Sequence, residues 1–147
     1  MGLLPGQITL RIFLNLRLFK LFFYLKNNFI ILLFPLYRLE FLGDAVVEFL
    51  TTIHLFFLFT ELDEGGLATF RSALVQNRHL ATLGDRLGLQ HFMVYAHGPD
   101  LCHSADLRHA MANTFEALMA AVFLDSGLEQ CDKLKERNLR SKWSIGQ

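Results

Sequence analysis

Apolar side chains recur every third or fourth residue through most of this chain, and polar breaks divide those runs into helices. Leu39, Phe41, Leu42, Ala45, Val46, Phe49 and Leu50 keep that spacing and predict a helix over about 38–59. Thr60 to Gly66 is polar and holds Gly65-Gly66, which reads as a turn. The pattern resumes with Leu67, Phe70, Leu74, Val75, Leu80, Leu83 and Leu87, so one helix is expected over 67–87, closed by Gly88 as a C-cap. His97-Gly98-Pro99-Asp100 marks a loop. Asp106 fits the cap of a helix running to about Leu124, with Ala110, Met111, Phe115, Leu118, Met119 and Val122 on its buried side. A last helix is expected to start near Gly127 and Leu128. No useful stretch alternates as a strand would, and the fold class is all-α.

Residues 1–36 have another texture. They are rich in Phe, Leu and Ile and carry Arg11, Arg17, Lys20 and Lys26 without a single acid. The charges interrupt the run that a membrane span needs, and no small-residue cleavage site follows it. A small membrane-associated helical protein is nevertheless an alternative reading. The formal net charge is +0, but it is segregated. Residues 37–131 hold five basic and twelve acidic side chains, whereas 132–147 form a basic tail. These three segments are the expected organisation: an atypical apolar and basic segment (1–36), one domain (37–131) and the tail (132–147). An acidic domain binds phosphate poorly by bulk charge, so a nucleic-acid role needs metal ions or a basic module elsewhere. Cys102 and Cys131 form no CxxC motif and read as reduced thiols.

The candidate chemistry lies in two helices. Glu40 and Asp44 are four residues apart, Asn113 and Glu116 three apart, so each pair shares a helical face. Acids among Leu, Phe and Val are costly unless a cation or hydrogen bonds offset them. If the two helices pack antiparallel, the four groups form an oxygen-rich cluster suited to a hard divalent cation and to phosphoryl chemistry. Gly43, between the two acids, costs a helix about 1 kcal/mol against alanine, so something there must need its small size.

Arg38-Leu39-Glu40-Phe41-Leu42-Gly43-Asp44-Ala45 resembles the signature of the ribonuclease III family, and Ala112-Asn113-Thr114-Phe115-Glu116-Ala117-Leu118 resembles its second block. Gly66 to Arg71 and Leu74 to Asn77 resemble the helix between them. Glu64 to Thr69, Tyr95 to Leu101 and Leu107 to Asn113 are similar to the first catalytic domain of the nuclear members that trim primary microRNA hairpins. The resemblance covers roughly residues 38–130. It implies a helical endonuclease domain, incomplete at both ends, that cuts double-stranded RNA by divalent-metal-assisted hydrolysis. It further implies Glu40, Asp44 and Glu116 as catalytic acids, and these with Asn113 as ligands of magnesium, for which manganese substitutes. Asn113 stands where most members carry aspartate, which keeps a carbonyl oxygen and drops one charge. Arg71, Arg78 and Arg108 are candidates for phosphate contact, because arginine forms bidentate contacts well, and each reads equally as a solvated or ion-paired surface residue; Gln76 and Asn77 are further candidate RNA contacts. His97 matches a zinc ligand whose partner ligands lie upstream of this chain. The implied partners are a microRNA hairpin, a second ribonuclease III domain and a double-stranded RNA-binding cofactor protein; the implied localisation is nuclear. Tyr37 departs from the signature, which normally opens with an acid or glutamine, and the pattern is left again after about Glu129. An inactive pairing or scaffold fragment is therefore the other alternative.

Overall fold

The computed structural model describes residues 29–91, 93 and 104–140, which form five α-helices and one 3₁₀ turn. They are α1 (Phe29–Leu58), α2 (Glu64–Val75), α3 (Asn77–Arg86), the turn Leu89–His91, α4 (Ser104–Ser126) and α5 (Leu128–Arg140). No strand occurs among the described residues, and the expected all-α class holds.

α4 is the axis. From Met111 to Val122 nearly every side chain is buried, with Phe115 and Met119 fully so. A helix apolar on every side has to be surrounded, and α1, α3 and α5 all pack against it. α1 contributes Val46, Val47 and Leu50, at the spacing of one helical face. α3 contributes Leu80 and Leu83, and the 3₁₀ turn contributes Leu89. α2 lies outside the core and buries none of its residues.

Several local expectations are corrected. α1 begins nine residues before Arg38, at Phe29, and runs through Pro35 without a break. Gly65 and Gly66 do not form a turn. They sit in the first turn of α2, where the Asp63 carboxylate accepts from the Gly66 N–H at 2.8 Å. The expected single helix over 67–87 is two, because Gln76 takes an extended backbone (φ −67, ψ 149). Its side-chain amide donates to the Ala73 carbonyl at 2.8 Å, which ties off the end of α2. Asp106 is not the cap of α4 but lies in its first turn, where a negative charge suits the helix dipole.

Two chain reversals follow the sequence. Gly88 (φ +72) ends α3 and Gly127 (φ +81) separates α4 from α5, both in the left-handed region that glycine tolerates. α5 then crosses position 131 and buries Cys131, Leu134 and Lys135. By length and hydropathy (1.6), Leu36–Leu58 would fit a membrane core. That stretch carries Arg38, Glu40, Asp44 and Glu48, and its buried face is occupied by α4.

Candidate active site

The two motif-bearing helices cross at Gly43. A Cβ on Gly43 would fall 1.8 Å from the Glu116 carbonyl oxygen and 2.4 Å from its carbonyl carbon. Only glycine permits this backbone-to-backbone contact, which explains a glycine in the interior of a well-formed helix. Because Glu40 and Asp44 flank Gly43 on α1, the crossing fixes both acids beside Glu116.

The electrostatics follow from this placement. Glu116 is 8% exposed. Burial first, then the charges of Asp44 and Glu40, push its carboxyl from 4.5 up to about 7. Glu40 is half-buried, and its pKa is raised by burial, opposed by His109 and reinforced by Asp44. Asp44 is exposed at the rim. The three carboxylates thus sense one another, as the sequence pattern requires. They are a loose group: among the described residues, the only three or more His, Cys, Asp or Glu with ligand atoms within 4.8 Å of one another are His54, Asp132 and Glu136.

A divalent cation fits this donor set. It is all oxygen, it carries like charges that repel, and its most buried member is destabilised as an anion. Asn113 is half-buried one turn before Glu116 on α4, where its side-chain carbonyl would join the same face.

The expected RNA contacts fall into different surroundings. Arg71 is tied to α1, with Nε 3.4 Å from Glu48 Oε1 and Nη1 donating to Thr52 Oγ1 at 3.2 Å. Gln76 is exposed and engaged at the end of α2. Asn77 opens α3 and its Nδ2 lies 2.7 Å from His109 Nδ1. Arg108 is exposed on α4. His97 and Cys102 lie outside the described residues.

His109 was not among the expected site residues. It reaches the site through Glu40, whose charge it stabilises, and it is held by Asn77. The signal was available: His109, Asn113 and Glu116 recur at intervals of four and three, one face of α4.

The family model for the ribonuclease III domain matches residues 37–127. The chain belongs to the ribonuclease III family. It is 61% identical over 112 residues to proteins named Ribonuclease 3 from Mus musculus and Homo sapiens, with 72% of this chain and 8% of each relative covered. Ribonuclease 3 of Chlamydia felis is 41% identical over 108 residues, covering 74% of this chain and 46% of that protein. The chain therefore spans less than a tenth of its animal relatives and about half of the bacterial one. Among solved structures, the nuclease domain of ribonuclease III from Campylobacter jejuni superposes with a TM-score of 0.62 at 28% identity, covering 71% of this chain and 73% of that one. That structure is described as flexible in the region involved in dimer formation.

Proposed function

We propose that the chain is a catalytic domain for magnesium-dependent hydrolysis of double-stranded RNA, of the Drosha type that acts on primary microRNA hairpins in the nucleus. The observation that carries this reading is the Gly43 crossing, which sets Glu40 and Asp44 of one helix beside Glu116 of another. The 61% identity with the animal relatives supports the hairpin-processing branch.

Glu40, Asp44, Asn113 and Glu116 would hold the ion. Magnesium bound there, or manganese in its place, supplies Lewis-acid stabilisation of charge on the scissile phosphodiester. The residues do the rest. Glu116, buried and raised toward neutral pH, is the group that must give up its proton for the site to bind a cation. Glu40 and Asp44 complete the negative potential, and the rigid crossing keeps all three from drifting apart. His109, beside Asn77, opposes part of the rise that burial imposes on the Glu40 carboxyl. Arg108 is exposed for phosphate contact, whereas Arg71 must first leave Glu48 to serve that way.

The open side of α1 supports pairing with a second ribonuclease III domain. Phe41 is 83% exposed and Tyr37 57% exposed, immediately beside Glu40. Aromatic side chains of this size are expected to be covered. The acidic stretch 37–131 binds phosphate poorly by bulk charge, so unpaired it cuts weakly; a double-stranded RNA-binding partner protein would add affinity.

The test is cleavage of a labelled RNA hairpin, with and without magnesium, by the wild-type chain and by Glu116→Gln, each alone and mixed with a catalytic partner domain. The expected result is metal-dependent cutting that the substitution abolishes. Cutting that persists in Glu116→Gln refutes the site. The exposed Phe41 favours a second reading, a pairing module without catalysis. No thermal shift with magnesium or manganese, together with stable pairing, would select that reading instead.

A further inference from the structure

Away from the Gly43 crossing, a second group of potential metal ligands converges between the first and last helices. His54 projects from α1, and Asp132 and Glu136 project from α5 one helical turn apart, on a common face. Their ligand atoms all lie within 4.8 Å of one another. His54 Nε2 and Asp132 Oδ1 are already 2.6 Å apart, although 78 positions separate them in sequence. All three side chains are half-buried, so solvent screens them less than it would a pair on the open surface. An open groove of about 300 Å³, lined by Ile53, His54, Phe57 and Leu58 of α1, gives solvent access to the imidazole.

We propose that His54, Asp132 and Glu136 form a second divalent-metal site, selective for a first-row transition ion such as zinc, that clamps α5 onto α1. The donor chemistry separates it from the candidate active site. One imidazole nitrogen with two carboxylates suits zinc or cobalt, whereas the all-oxygen set around Glu116 suits magnesium. Three protein ligands leave one position for water, as zinc sites with an open position do. Two carboxylates on successive turns of one helix repel each other, and a shared cation turns that repulsion into attraction. Coordination takes the Nε2 lone pair of His54, which requires the neutral ring with its proton on Nδ1; a proton standing on Nε2 moves to Nδ1 or, where Nδ1 already carries one, to solvent. This site does not depend on the catalytic reading, since Glu40, Asp44 and Glu116 take no part in it.

The test is zinc titration of the chelator-treated full chain in excess magnesium, by calorimetry and by thermal melting, with cobalt absorption reporting nitrogen and oxygen ligands. A Glu40→Gln/Glu116→Gln background removes the oxygen-only site from the count. The expected result is one zinc equivalent that raises Tm, retained in that background and weakened at least about tenfold by His54→Ala and by Asp132→Asn. Glu136→Gln tests the third ligand where the other variants disturb the helix pair, with circular dichroism confirming the fold. Absence of zinc binding in the wild-type chain overturns the proposal. So does zinc affinity unchanged across the three variants, which would leave His54 and Asp132 as an ordinary ion pair.

Discussion

Gly43→Ala is the sharpest perturbation available. The added Cβ would lie 1.8 Å from the Glu116 carbonyl oxygen, where ordinary contact is 3.4–4 Å. The obstacle is backbone on a central helix, so α1 and α4 must separate by about 1.5 Å over the crossing to admit it. Overpacking of this kind costs about 3 kcal/mol, the upper end of the usual range. Replacing a mid-helix glycine by alanine returns about 1 kcal/mol of helix propensity. The net loss is about 2 kcal/mol, or a fall in Tm of about 8 °C at roughly 4 °C per kcal/mol for a chain of this size. The same separation carries Glu116 away from Glu40 and Asp44, and a displacement near 1 Å lowers turnover by about 100-fold. Urea denaturation followed by circular dichroism measures the first effect, and metal-dependent hairpin cleavage the second. Gly84→Ala is the control. Its Cβ would meet Met111 Sδ at 2.9 Å and Cγ at 3.0 Å, with the Met111 carbonyl oxygen at 3.3 Å; the side chain can turn and the backbone need give only a few tenths of an ångström, so the loss is smaller than for Gly43→Ala, about 1 kcal/mol or less. A Gly43→Ala protein as stable as wild type, or more so, would refute the close crossing and the site built on it.

Three further outcomes follow from buried ionisable groups. The folded carboxyl of Glu116 titrates near 7 against an ordinary 4.5, so the folded metal-free chain binds the proton more tightly and loses stability as pH rises through that window. Glu116→Gln should therefore raise Tm of the metal-free chain at pH 8, by at most about 3 kcal/mol of stability, and make no difference below pH 4.5. Lys135 is 5% exposed, donates to Thr51 Oγ1, and is pushed by burial from 10.5 down to about 8. Stability then rises with pH between those values, and Lys135→Met should gain about 1–3 kcal/mol at pH 7, a gain that shrinks toward pH 10.5 in urea titrations. Cys131 is buried, donates to the Met119 carbonyl at 3.3 Å, and has its thiol raised to about 11. Mass-spectrometric mapping of alkylation at pH 8 should find Cys131 unlabelled in the folded chain and labelled in urea; rapid native labelling would show that α5 does not stay docked.

The sequence alone determined the helical class, the extent of α4 and the start of α5 to within a few residues, and it marked Glu40, Asp44 and Glu116 as candidates through the motifs that resemble the family's. The helices are legible because apolar spacing reports which face of a helix is buried, and the acids stand out because a charge on such a face needs a reason to be there. It was also enough to show that Gly43 must be small. The break at Gln76 was hidden, since Leu74, Val75, Leu80 and Leu83 keep a continuous helical rhythm across it, and periodicity does not record a change of direction. Tertiary structure decided what Gly43 is small for, a backbone crossing with Glu116, and that His109 reaches Glu40. It alone brought His54 to Asp132 across 78 residues. Spacing within one helix is fixed by covalent geometry and can be read from a string of letters. Proximity between helices is set by how their surfaces interlock, which depends on every side chain in the contact at once.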